Sequence, residues 1–303
     1  MPEAALPIAA EQETLAARGI LTDAEREQLQ RLQLPEEDGV PLESYYHVLQ
    51  SALLAEVIHQ HLKGRTDYFC GRNMFVYFSL QQAQEIIEFV EGKRDEVRYK
   101  GPDLFVVLGV DGKRRRKSWL VWEENDRFPD LIVEIVSPST KEKDTKDNLE
   151  LYAKVFRARE YFWYDEELGE WMGYRLQGGE YVPIEPNEYG WRWSEVLGAW
   201  LGVSDAPYQG WRYRWLRLYD AEGRLVPTGE ELAQVAQQLA EAERRRAEQE
   251  QRRAEQERRR AEQAQRRAER ERRRAEQERR LREEAERRLA ELEAELKRLR
   301  GEP

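Results

Sequence analysis

The run Leu131-Ile-Val-Glu134-Ile-Val136, opened by Pro129-Asp130, constrains the fold more than any other stretch of this chain. Its residues are mostly β-branched and almost unbroken by polar positions, the pattern of a strand buried on both faces of a sheet. Glu134 sits in the middle of it. Side chains alternate along a strand, so Asp130, Ile132, Glu134 and Val136 share one face, and Leu131, Val133 and Ile135 the other. An unpaired carboxylate in that position costs several kcal/mol. A similar run, Pro102-Asp103-Leu-Phe-Val-Val-Leu108, places Asp103 31 positions upstream of Glu134. Two readings stay open on these residues alone. Asp103 and Glu134 could share a hard divalent ion such as Mg²⁺ through oxygen ligands, or Glu134 could form a structural salt bridge with an arginine.

The rest of the composition narrows the classes available. With 303 residues, 40% of them hydrophobic, the chain can build one or two domains with a real core. Its formal net charge of −10 is unevenly spread, because residues 241–303 hold 22 Lys+Arg against 18 Asp+Glu. The body is therefore acidic, which argues against strong non-specific nucleic-acid binding but leaves room for a local basic groove. One cysteine, Cys70, cannot form an internal disulfide, and three histidines disfavour a Cys/His zinc site. His59 and His61 point about 200° apart on a helix and cannot chelate together. No basic leader with an apolar stretch opens the chain and no long apolar run follows, so the expectation is a cytoplasmic protein with no membrane partner.

Local signals give an order of elements. Residues 1–40 read as a loosely attached helical arm, with a capping box at Thr22-Asp-Ala-Glu25 and a stop before Pro35. Leu42–Lys63 has helical spacing, with Gly64 as its stop. Glu56 shares the apolar face of Tyr45, Leu49, Ala52 and Leu53 and is a third candidate acid. Strands are expected at Met74–Ser79, Leu104–Leu108, Trp119–Trp122 and Leu131–Val136, and a helix at Lys141–Phe156. Further strands are expected at Tyr161–Asp165, Trp171–Arg175, Tyr181–Ile184 and Arg212–Tyr219. This is a mixed α/β core over residues 41–229. Trp191, Trp193, Trp200, Trp211 and Trp215 crowd its end; core packing is the favoured reading over base stacking.

From residue 230 to 303 the chain changes character. Ala240, Ala247, Ala254, Ala261, Ala268 and Ala275 recur every seven residues, in phase with Leu289 and Leu296, which predicts one long charged helix. The companion heptad position is mostly glutamate until Leu292 and Leu299, so any pairing of two copies rests on the C-terminal leucines. A homo-oligomer joined through this helix and a solvated single rod both remain open.

A strand aspartate, then a strand glutamate, flanked by helices, resembles the PD-(D/E)XK nuclease superfamily, and its Uma-type restriction-endonuclease branch in particular. The matching residues are Gly71–Phe78, Gly101–Gly109, Lys117–Glu123, Pro129–Thr140 and Glu160–Asp165, continued by Pro186-Asn-Glu and Trp193–Gly198. The resemblance covers about residues 42–230. It implies a restriction-endonuclease-like mixed β-sheet core flanked by helices, and Mg²⁺- or Mn²⁺-dependent cleavage of DNA phosphodiesters. Asp103 and Glu134 would bind the ion, with the backbone carbonyl of Ile135 as a third oxygen.

The catalytic lysine departs from the pattern. Its superfamily position, two after the glutamate, is Val136. The branch's alternative position, four residues after Asp144 and four before Tyr152, is Asn148. Lys146 is the nearest substitute, with Lys143 and Lys141 behind it, and the other reading is a weak or inactive nuclease-like scaffold displayed on the helix. Asp144 is an accessory candidate or a helix cap, and Ser137-Pro-Ser139 read as a turn. His47 matches a family histidine and is an accessory candidate or a structural hydrogen bonder. Lys113, Arg114, Arg115, Arg116 and Lys117 follow the Asp111-Gly112 turn and are either a grip on phosphates or a solvated charge run.

Overall fold

The computed structural model describes residues 21–36, 44–97, 99–136, 146–165 and 169–300. Two compact units emerge, residues 1–232 and residues 233–303.

The first unit is a mixed α/β fold built on a six-stranded sheet. Its strands are β1 (Tyr68–Arg72), β3 (Leu104–Leu108), β5 (Leu131–Val136), β6 (Glu160–Asp165), β7 (Glu170–Gln177) and β8 (Glu180–Pro183), in the order β1-β3-β5-β6-β7-β8. Only β5 and β6 run parallel; the other neighbours are antiparallel. All six residues of β5 are buried, as an apolar run at the centre of a covered sheet requires.

Alternation along the strands separates two cores. Leu104, Val106, Leu131 and Val133 face helix α2 (Tyr45–His61) and a three-stranded sheet of β9 (Arg192–Ser194), β10 (Ala199–Ser204) and β11 (Trp215–Tyr219). Phe105, Val107, Ile132 and Val136 face the opposite side, with Tyr152, Phe156 and Trp119. Helix α4 is a short α-helical turn, Asn148–Leu151, continued by a π-helical turn, Tyr152–Phe156, and it leads into β6. A third apolar cluster joins α1 (Asp23–Arg31) to α3 (Leu80–Val90) through Leu29, Ala83, Ile86, Phe75, Tyr77 and Trp122.

Several elements depart from the sequence expectation. The capping box at Thr22 forms, but α1 is docked, with Leu29 buried and Arg26 paired to Asp126 at 3.0 Å. β1 and α3 had no counterpart among the expected elements. β1 carries Gly71 opposite Phe105, where a Cβ would lie 2.3 Å from the ring, so a residue that weakens a strand on paper is the one that fits there. The stretch 74–79 contributes only β2 (Val76–Tyr77), which pairs in parallel with β4 (Trp119–Leu120) outside the main sheet. The basic run after Asp111-Gly112 consequently joins β3 to a strand of a different sheet.

The second unit continues helix α5 (Gly229–Arg300), unbroken as the heptads require. Glu and Arg four apart pair along it, among them Arg259–Glu255 and Arg273–Glu269, both at 2.7 Å. Leu289, Leu292 and Leu296 are exposed on this chain. No helix among the described residues is long and apolar enough to cross a membrane.

Candidate active site

The register of β3 and β5 decides where the two acids fall. Leu104 pairs with Val133, so one further rung sets Asp103 opposite Glu134 at the end of the ladder, on the face shared with Phe105 and Ile132. The two residues are tied crosswise. The Asp103 N–H donates to Glu134 Oε2 at 3.0 Å, and the Ile135 N–H donates to Asp103 Oδ2 at 2.7 Å. Backbone that has left the ladder is thus satisfied by the carboxylates, which fixes both side chains.

Two further groups hold the pair. His47, in the first turn of α2, places Nε2 2.8 Å from Asp103 Oδ1. That turn is set by Ser44, whose hydroxyl caps the helix by accepting the His47 N–H at 3.0 Å. From the other side, the Tyr152 hydroxyl donates to Glu134 Oε1. Glu134 is 4% exposed and Asp103 is half-buried, so the pair has one enclosed and one accessible member. Burial, and then the negative charge of Glu134, push the Tyr152 phenol well above its ordinary range. The same two causes act in the same order on the buried Tyr99 beside it. The two rings meet edge to face at 5.8 Å. Tyr152 is therefore a fixed proton donor at neutral pH.

Tyr99 also lines a cleft of about 540 Å³ between α3 and α4, with Lys100, Asn148, Leu151, Gln82 and Phe78. Asn148, the residue at the branch's lysine position, is buried in this wall. Lys146, two residues earlier, is exposed. Lys100 reaches the same cleft, with its ammonium 5.2 Å above the Phe89 ring centre. Sequence reasoning assigned neither Tyr152 nor Lys100 to the site, although Lys100 stands only three positions before Asp103. Asp144, Lys141, Lys143 and Ser137–Ser139 lie outside the described residues.

Glu56 is not with the acid pair. Its Oε1 accepts the Gly229 N–H at 2.7 Å, and its Oε2 accepts the Tyr208 hydroxyl at 3.1 Å, so it caps the first turn of α5. The basic run is divided by carboxylates. Arg116, with a side chain only 3% exposed, is bound by Glu124 at 2.7 and 2.9 Å and lies over the rings of Phe69 and Trp119. Arg114 pairs with Glu123 and Glu124, and Lys117 with Glu36. Lys113 and Arg115 are exposed.

Among the described residues no group of three or more His, Cys, Asp or Glu side chains converges as a metal site. The donors on hand are two carboxylates and neighbouring backbone. This hard, sparse oxygen set suits an ion such as Mg²⁺, which keeps several of its own waters.

A mixed sheet flanked by helices, with Asp103 and Glu134 tied together where β3 and β5 pair, defines a mixed α/β protein. The family model Uma2, described as "Putative restriction endonuclease", matches residues 21–204, more than half of the chain, and the chain belongs to this family. The match starts at α1, earlier than the motifs alone marked. Among solved structures, a crystal structure from Anabaena variabilis described as "a putative nuclease" is similar, at 14% identity and a TM-score of 0.37 over 57% of this chain and 90% of that one. No curated protein matches.

Proposed function

We propose that this protein is a divalent-metal-dependent endonuclease that hydrolyses DNA phosphodiester bonds. The observation that carries the reading is the Asp103–Glu134 pair, set opposite one another, with Glu134 accepting the Asp103 N–H and Asp103 accepting the Ile135 N–H. Asp103, Glu134 and the carbonyl of Ile135 would hold Mg²⁺ or Mn²⁺. Such an ion lowers the pKa of a bound water and offsets charge on the scissile phosphate.

The chain's own groups prepare that site. His47 and the Ile135 N–H fix the Asp103 carboxylate, while Tyr152 and the Asp103 N–H fix Glu134. A carboxylate oxygen has two lone pairs, so accepting a hydrogen bond does not by itself prevent it from binding an ion. A lysine then steadies the developing negative charge and orients the attacking water. Lys146 is the first candidate and Lys100 the second. Lys113 and Arg115, exposed in the basic run, would meet phosphates. The exposed leucines of α5 would join two copies.

Cleavage of plasmid DNA in Mg²⁺ or Mn²⁺ tests the reading. Asp103→Ala and Glu134→Ala should each reduce the rate at least about 100-fold. Whichever of Lys146→Ala and Lys100→Ala matches that loss identifies the lysine. A wild-type protein that neither cleaves nor binds a divalent ion sinks the proposal.

Val136 and the buried Asn148 favour a second reading, a nuclease-like scaffold with little or no activity. Cleavage abolished by Asp103→Ala would discard it.

A further inference from the structure

The tryptophans of the closing segment divide in a way composition does not reveal. Trp215 is fully buried, whereas Trp211 is 46% exposed and lies parallel to Tyr213, with centroids 5.9 Å apart and planes 5° from parallel. Tyr45, 60% exposed, meets Trp211 at 6.0 Å. Beneath them Tyr46 meets Tyr213 at 5.7 Å and stacks on Trp215 at 5.2 Å, so the exposed rings stand on a core layer.

The platform is rigid at both ends. Tyr208 and Trp211 exchange backbone hydrogen bonds of 3.0 and 2.9 Å across Gln209 and Gly210, both with positive φ, the geometry of a tight two-residue turn. Three residues on, the Arg214 carbonyl accepts the hydroxyls of Tyr164 at 2.6 Å and Tyr46 at 3.2 Å. Arg212 and Arg214 alternate with the rings and are exposed; among the described residues neither forms an ion pair. Helix α2 also carries His47, two residues after Tyr45, whose Nε2 is 2.8 Å from Asp103. Exposed Arg72, at the end of β1, pairs with Leu104 and so lies on the face of the sheet toward α2.

We propose that Trp211, Tyr213 and Tyr45 form a stacking platform for unpaired bases of a single-stranded nucleic-acid segment, with Arg212, Arg214 and Arg72 meeting its phosphates. This rests on the nuclease reading for its purpose but not for its chemistry. Open π-faces and unpaired guanidinium groups in one strap suit splayed bases, which expose their own faces, better than a duplex that hides them. The local cations also stand out from an acidic body.

The test is binding of a fluorescent oligothymidine of about twelve nucleotides, and of a duplex of equal length, to the full chain in EDTA. Trp211→Ala/Tyr213→Ala should weaken oligothymidine binding at least about ten-fold, equivalent to about 1.4 kcal/mol, while changing duplex binding less than about two-fold. Trp211→Phe/Tyr213→Phe, which keeps an aromatic ring at each position, should stay within about three-fold of wild type. Arg212→Ala/Arg214→Ala should lower the salt dependence of the same binding. Undetectable binding by wild type, unchanged binding by the alanine pair, or a phenylalanine pair as weak as the alanine pair would each overturn the proposal. So would a loss of self-association with oligothymidine affinity intact, which would assign the platform to a second copy of the chain. Ring-dependent binding in a protein that does not cleave with Mg²⁺ would uphold the platform and refute the nuclease reading alone.

Discussion

Replacing Tyr152 with phenylalanine removes a single hydroxyl from the centre of the site and little else. The ring is fully buried and packs against Tyr99, Phe156 and Tyr161 at 5.8, 5.5 and 5.1 Å, contacts that phenylalanine retains. What disappears is the donor to Oε1 of Glu134, a carboxylate 4% exposed. A hydrogen bond to a charged group contributes about 1.5 to 3 kcal/mol, and burial makes its loss hard for water to replace. Tyr152→Phe should therefore lower the urea unfolding free energy by about 1.5 to 3 kcal/mol in EDTA. In a Glu134→Ala background, where the acceptor is gone, the same change should cost less than about 0.5 kcal/mol. Because the phenol titrates well above its ordinary range, the coupling should hold constant from about pH 6 to 9. Equal losses in the two backgrounds would refute the assignment of Tyr152 as the group that fixes Glu134.

Other predictions concern buried charges away from the acid pair. Glu160 is 1% exposed, and burial pushes its carboxyl up from 4.5 despite hydrogen bonds from Ser194 and the Glu195 N–H. The native state then holds a proton the unfolded chain has lost, so stability should fall as pH rises from about 4.5 through the raised value, and Glu160→Gln should remove that slope in denaturation curves. For Glu231, burial acts upward, but the Arg217 guanidinium at 2.9 Å and the Thr228 N–H at 2.7 Å outweigh it and hold the carboxyl below 4.5. Its contribution should be present above that value and lost as pH falls through the lowered one. Glu231→Ala, which strands the fully buried Arg217, should cost about 3 kcal/mol by chemical denaturation.

The elements legible in the sequence were those whose local pattern and tertiary role agree. β5 reads as buried because it is buried along its whole length, and the heptads of residues 240–296 can only be helical. The capping box at Thr22 announced α1. The Asp103–Glu134 pair was legible as two acids in strand runs, but their closeness depends on the antiparallel register of β3 and β5, which no single strand encodes. α3 was readable from the Ser79 cap and the spacing of Leu80, Ala83 and Ile86, yet glutamines and glutamates on the same helix mask it. β1 was hidden by Gly71, whose fit depends on Phe105 from another strand.

Long-range pairing also explains the charged residues that composition misplaced. Glu56 lies on an apolar helix face because it meets the Gly229 N–H, 173 residues away. Arg116 sits within a solvent-like charge run, yet Glu124, Phe69 and Trp119 enclose it. Trp211 and Trp215 are four residues apart in one aromatic cluster, and only the turn at Gln209-Gly210 sends the first outward.

In the proposed nuclease, Asp103 and Glu134 share one divalent ion. Isothermal titration of the metal-free full chain with Mn²⁺, in parallel with Asp103→Ala and Glu134→Ala, tests it most directly. Wild type should show saturable binding that is lost in both variants. Absence of binding by wild type, or equal binding by all three proteins, would contradict it.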